Sequence, residues 1–303
     1  MNQIFLLMLG ALALGGIGTL LSSDSDDQPD PIPDDPVGGR DVINGDEDDE
    51  ALTGTPEDEI IRGWEGDDTI VGGGGDDEIY GGLGADLVAA QDGDDRVFLG
   101  EGADVYGGLD LGADEGSDTI FGGSGDDTIT TNGGTHVIWG DDDEDDEDGD
   151  DLLTATGGQV TIHGGQGDDT IAARDGASGA ADVVDVLYGG DGDDLIEVGA
   201  GDFADGGEGR DEYHAVTGLD GPGRIAWEDG DSLTLSAQPG YEGPLEYELV
   251  QDGDDVRVVM GGETLVVIAD MDAADVDGIA VVDDRAAAAA VAAGQALPGY
   301  VTG

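Results

Sequence analysis

Cysteine is absent from the 303 residues, so no disulfide can staple the fold and another source of rigidity is needed. Only 3 histidines are present, and a zinc site of the common Cys/His type is excluded. Lys and Arg number 8 against 74 Asp and Glu, giving a formal net charge of -66. A field this negative repels nucleic acid and anionic membrane surfaces and attracts divalent cations. Aromatic residues make up 5%, and an acidic, aromatic-poor chain ordinarily cannot bury a core. No His-Glu-x-x-His or Gly-x-Ser-x-Gly occurs, which removes the usual metalloprotease and serine-hydrolase signatures. Paired carboxylates are so common that they say nothing about glycoside chemistry. The expectation is a protein that is not an enzyme.

What is there is glycine and a period. Gly66-Asp67-Asp68-Thr69-Ile70 is followed by Gly75-Asp76-Asp77-Glu78-Ile79, Gly84-Ala85-Asp86-Leu87-Val88, Gly93-Asp94-Asp95-Arg96-Val97 and Gly102-Ala103-Asp104-Val105-Tyr106. Glycine, aspartate and a large apolar residue return at a nine-residue step, with Gly72-Gly73 and Gly81-Gly82 between units. Each unit has room for one short strand with one inward side chain. A single unit cannot bury that side chain, so turns must stack. Glycine allows φ > 0 and close backbone approach in the connecting turns. Stacked carboxylates repel unless a cation sits between them, and carboxylate and carbonyl oxygens are what Ca²⁺ prefers.

The pattern Gly-Gly-x-Gly-x-Asp-x-apolar-x resembles the hemolysin-type calcium-binding repeat (RTX) family. The resemblance implies an all-β fold, a parallel β-roll followed by a small antiparallel β domain, that binds several Ca²⁺ ions. With two units per coil, as in that family, Asp68, Asp86 and Asp104 line one side and Asp77 and Asp95 the other. The expected metal-holding residues are these five, with Asp118, Asp127, Asp151, Asp169, Asp194 and Asp211 in later units. The loop glycines Gly66, Gly75, Gly84, Gly93 and Gly102 accompany them, backbone carbonyls completing each site.

In chain order, Ile4 to Leu21 is an apolar run of export-signal or N-terminal-anchor type. Residues 22–53 read as an acidic, proline-rich linker, and 54–214 as the roll, opened by a degenerate unit ending at Ile60. The array is interrupted at 107–116, by the acidic run Asp141–Asp148, and at 172–181. His136 and Val160 stand where aspartate is expected, so that side is held by packing there. From Ala215 the period changes, and Arg224–Trp227, Asp231–Leu235, Leu245–Val250, Val256–Met260 and Glu263–Ile268 read as strands of a C-terminal β domain extending to 283. Asp252-Gly253 and Gly261-Gly262 mark hairpins. Residues 284–303 form an alanine-rich tail. The resemblance makes a type I exporter a partner and an extracellular location the expectation. A surface adhesin using the roll as a stalk and a small polysaccharide-active enzyme remain the alternatives.

Overall fold

The computed structural model describes residues 39–107, 116–141, 149–174, 184–218 and 221–283. The apolar run, most of the linker, the inserted loops and the alanine-rich tail lie outside them. All regular structure in the described residues is β-strand. No helix there is long and apolar enough to cross a membrane.

Successive strands alternate between two sheets, one of 13 and one of 11 strands. Within each sheet the repeats pair in parallel with their counterparts one coil away. Ile61 lies beside Ile79, Ile79 beside Val97, and Ile70 beside Val88. Two units therefore make one coil. The period-2 alternation of each short strand turns one large apolar residue inward. The result is two facing apolar columns, Ile61, Ile79, Val97, Ile120, Ile138, Ile162 and Leu187 on one sheet and Ile70, Val88, Tyr106, Ile129, Leu153, Ile171, Ile196 and Tyr213 on the other, all fully or nearly fully buried. Burying one such side chain contributes about 1.5–3 kcal/mol, so the core grows by repetition, coil after coil.

The inserted stretches leave this register intact. Gly100 pairs with Gly123 and Phe98 with Phe121 across the first interruption. Ile162 pairs with Leu187 across the last.

The parallel ladder begins before and ends after the limits expected from the repeat. Asp41–Asn44 pairs in parallel with Glu59–Glu65, and Ala51–Thr53 with Thr69–Gly74. These residues lie within the segment read as linker. Ile43 and Leu52 supply the apolar positions there, each packed on the core. In the opening unit it is Ile61, beside Ile79, that joins the column. At the other end Gly223–Ala226 pairs in parallel with Phe203–Glu208, and Ser232–Ser236 with Glu212–Val216. Both were expected in a separate domain. They continue the coil because Ile225 stacks on Ala204 and Leu233 on Tyr213. The antiparallel part consists of Tyr247–Asp252, Asp255–Met260 and Glu263–Ile268. Its last strand joins the 13-stranded sheet in parallel beside Gly223–Ala226.

Candidate metal centre

The turns of each coil fall on two edges of the roll. Those of the first edge run from the larger sheet to the smaller and carry Asp68, Asp86, Asp104, Asp127, Asp151, Asp169, Asp194 and Asp211. Those of the second edge run back and carry Asp77, Asp95 and Asp118. Every one of these aspartates is buried, at 1–3% exposure.

Oδ1 of each is used by the backbone of the preceding coil. Asp68 donates its N–H to Oδ1 of Asp86 at 2.8 Å, and Asp86 donates to Asp104 at 2.7 Å. The chain of bonds continues through Asp127, Asp151, Asp169, Asp194 and Asp211. On the second edge Asp77 donates to Asp95 at 2.8 Å and Asp95 to Asp118 at 3.0 Å. Oδ2 is different. In Asp68, Asp77, Asp86, Asp104, Asp127, Asp151, Asp169, Asp194 and Asp211 it is buried without a hydrogen-bond partner. A bare buried carboxylate oxygen is costly unless a cation or proton meets it.

Except at Asp104, each such oxygen faces a glycine, and at all but Asp211 of these a carbonyl stands beside it. A Cβ placed on Gly72 would lie 2.7 Å from Oδ2 of Asp77 and 2.6 Å from the carbonyl of Ala90. The same pairing of aspartate Oδ2 and a neighbouring-coil carbonyl surrounds Gly63, Gly81, Gly122, Gly140, Gly164 and Gly189. Leu99 and Ala90 hold the equivalent positions beside Asp104 and Asp95. The loop glycines pack more tightly still. The Gly66 carbonyl abuts Gly84, that of Gly75 abuts Gly93, and that of Gly84 abuts Gly102. All five glycines have positive φ. No group of three or more His, Cys, Asp or Glu side chains converges among the described residues. An ion on either edge would therefore take few carboxylate oxygens and several carbonyl oxygens, the donor set suited to a hard cation such as Ca²⁺.

The electrostatics agree. Burial pushes the carboxyls of Asp77, Asp86, Asp104 and Asp211 up to about 6. It pushes Asp151 and Asp194 up to about 7, and Asp127 and Asp169 up to about 8. The accepted backbone N–H offsets part of the rise, and neighbouring carboxylates add to it. Without a cation, these groups resist ionising.

The second edge changes character along the roll. His136 replaces aspartate and is itself buried at 2% exposure. Its Nδ1 accepts the Asp118 N–H at 3.3 Å and lies 3.0 Å from Asp118 Oδ2. One coil on, Val160 fills the place with a methyl-bearing side chain. Its N–H donates to Asp185 Oδ1 at 2.8 Å.

The family pattern of the RTX calcium-binding nonapeptide repeat matches residues 53–88, 79–106, 112–147, 145–178 and 184–202. This stretch consists of RTX calcium-binding repeats. The RTX repeats bind several Ca²⁺ ions, and the orphaned Oδ2 atoms and their carbonyl neighbours fit that ion. No curated protein sequence matches the chain. Among solved structures the chain is similar to the extracellular lipase LipA from Serratia marcescens, at 17% identity and a TM-score of 0.19. The match covers 81% of this chain and 40% of the lipase, so the chain spans less than half of that enzyme's length.

Several residues of these columns depart from the regular Gly-x-Asp unit. Glu50 and Glu59 head the two edges, donating to Asp68 and Asp77 Oδ1 at 2.8 Å. Asp185 and Asp202 extend the second edge, and Asp231 the first. In Asp202 and Asp231 the other oxygen accepts a backbone N–H of its own turn, from Gly199 and Glu228. These two close their columns. The first aspartate of each Asp-Asp pair builds a further, exposed ladder running the opposite way. Asp94 donates its N–H to Asp76 Oδ1 at 3.0 Å, and Asp168 donates to Asp150 at 2.9 Å. The spacing of the pair was the available signal for this ladder.

Proposed function

We propose that this chain is an extracellular calcium-binding protein whose roll folds when Ca²⁺ binds along its two edges, and that it is not an enzyme. The observation that carries the reading is the row of buried, unpartnered Oδ2 atoms, most of them aimed at a glycine beside a carbonyl of the next coil. The ligands in this reading are Asp68, Asp77, Asp86, Asp95, Asp104, Asp118, Asp127, Asp151, Asp169, Asp194 and Asp211, with carbonyls of the glycine loops around Gly66, Gly75, Gly84, Gly93 and Gly102. Like charges near 4 Å repel by about 1 kcal/mol in water and several near a protein surface. Summed over the columns, that repulsion outweighs a net domain stability of only about 5–15 kcal/mol. In a low-calcium cytosol the chain stays unfolded and suited to passage through a one-step exporter. Outside, metal-binding free energy becomes folding free energy.

Far-ultraviolet circular dichroism and limited proteolysis of the full chain, in chelator, in Mg²⁺ and in Ca²⁺, test the reading. A protease-resistant β signal is expected in Ca²⁺ alone, since Mg²⁺ demands tighter octahedral geometry. The same signal in chelator would refute calcium-driven folding.

A further inference from the structure

The parallel register lines up one outward column on the larger sheet. It runs Arg62, Tyr80, Phe98, Phe121, Trp139, His163 and Tyr188. Its rings stack face to face, Tyr80 on Phe98 and Phe98 on Phe121 at 5.0 Å between centroids. The counterpart column of the other sheet carries Thr130, Thr154 and Ala172 instead.

Three features at the N-terminal end of this column exceed what packing requires. First, the arginines are unusual. Arg40, Arg174, Arg210, Arg224 and Arg257 each contact a carboxylate. Arg62 forms no such ion pair among the described residues, in a chain with 74 acids, and Arg96 acts on Glu78, opposite it in register, only beyond contact distance. Instead Arg62 lies 5.7 Å from the Tyr80 ring, and Arg96 4.9 Å from Phe98 and 5.6 Å from Phe121.

Second, Trp64 has φ +88 at the position held by Gly82, Gly100 and Gly123 in the next three coils of that sheet, where φ is +126, +123 and +115. A bulky residue in that region is strained by about 1–3 kcal/mol, and such strain clusters at functional sites. Trp64 takes no part in the ring stack, so its faces are not used up there. Third, an open groove of ≈ 650 Å³ lies at this end, lined by Arg62, Trp64, Tyr80, Phe98, Phe121 and Glu101 together with loop glycines. It crosses four adjacent strands, about 14 Å at the usual strand spacing.

We propose that this groove binds an extended neutral glycan. A net charge of -66 disfavours an anionic polymer and equally a second copy of this chain. In the groove itself Arg62 offsets Glu101, so its lining carries little net charge to hold a cationic one. A neutral sugar chain suits what remains. Guanidinium and glycine backbone N–H groups donate to hydroxyls, while Trp64 and the exposed ring edges meet the C–H surfaces of the sugar rings. A groove following the roll axis matches a linear ligand.

The test is affinity electrophoresis of the full chain in Ca²⁺, in gels containing laminarin, dextran, galactomannan or xyloglucan, with alginate as the anionic comparison. Retardation is expected in at least one neutral polysaccharide. It should weaken at least about tenfold in Trp64→Gly and in Arg62→Ala, a loss of about 1.4 kcal/mol. Trp64→Gly restores the residue of the neighbouring coils, and Trp64→Asn, which tolerates positive φ, is the second variant. Circular dichroism in Ca²⁺ reports that each variant folds. No retardation by any neutral polysaccharide, retardation by alginate alone, or undiminished retardation of folded Trp64 variants would overturn the proposal.

Discussion

Asp127 gives its backbone N–H to Oδ1 of Asp151 at 2.8 Å, while its own Oδ1 accepts the N–H of Asp104 at 2.8 Å. Each carboxylate is thus half committed to the coil and half open. Replacing the open half alone separates the two roles. Asp127→Asn keeps an amide oxygen for Asp104 but removes the charge, so bound calcium should fall by at least one ion. The calcium midpoint for folding should rise several-fold. Asp127→Ala should in addition lose about 1–3 kcal/mol of stability, because the Asp104 N–H is left bare. Calorimetric calcium titration and thermal unfolding of both variants check this.

In chelator, the carboxyls of Asp77, Asp86, Asp104 and Asp211 sit near 6 and those of Asp127 and Asp169 near 8 in the folded roll, against an ordinary value near 3.9 when unfolded. Folded values above unfolded ones mean that these groups favour folding while protonated. Their contribution is complete below about pH 4 and disappears as pH rises through about 6 to 8. Calcium-free protein should therefore show more β signal at pH 5 than at pH 8.5. Added calcium should reverse the order, since the ion needs the ionised form. Circular dichroism across pH with and without Ca²⁺ reads both slopes, and a calcium-free signal that grows with pH would contradict the assignment.

Gly84 has φ +127 and a Cβ there would run into the Gly66 carbonyl of the preceding coil. Gly218 has φ +86 with no non-neighbouring described residue near its Cβ position. Gly84→Ala should cost about 2 kcal/mol or more, because a backbone clash cannot relax without unstacking the coil. Gly218→Ala should cost about 1 kcal/mol, the conformational cost alone. Thermal unfolding in saturating Ca²⁺ compares them.

How much of this was legible before the structure depends on which level of the pattern carried it. The inward aspartates and apolar residues could be placed because a nine-residue step fixes which side chains face in, and two units per coil fix which aspartates stack. Glu50 and Glu59 escaped notice because they join the columns by donating a backbone N–H, which any residue but proline could supply. Asp185 has Val183 where the loop glycine belongs, and Gly201 and Gly230 stand one residue before Asp202 and Asp231 rather than two. The continuation through Ile225 and Leu233 was hidden because parallel stacking needs only an apolar residue at the right height. Nothing local distinguishes that from a hairpin strand. The aromatic column is invisible in sequence for a different reason. Its members are brought together by register across inserted stretches, Phe98 to Phe121 and His163 to Tyr188.

Where the second edge abandons aspartate, calcium should have no hold. Val160 is buried at 2% exposure and is held by core contact and by Asp185. Val160→Ala should cost about 2 kcal/mol through lost burial and a residual cavity, with the number of bound calcium ions unchanged. Parallel unfolding and titration experiments distinguish this from Asp127→Asn, which should change the ion count.

Tyr213 ties the last coils together, and its contribution should be independent of metal. Its ring is fully buried and lies 6.2 Å from that of Trp227. Its hydroxyl accepts the Gly206 N–H at 2.7 Å and donates to the Ala226 carbonyl at 2.8 Å. One side chain therefore joins the Phe203–Glu208 strand to the Gly223–Ala226 strand that stacks on it. Burial holds the phenol well above its usual range, so the hydroxyl keeps its proton to donate at any pH the protein meets. Tyr213→Phe preserves the ring and its packing but strands one buried donor and one buried acceptor. The expected cost is about 1–3 kcal/mol. The loss should appear in saturating Ca²⁺, where the columns are already satisfied, with the calcium titration unchanged. A Tyr213→Phe variant as stable as the parent in Ca²⁺ would show that the terminal coils are held by apolar stacking alone. A variant with fewer bound ions would place the hydroxyl in the metal network.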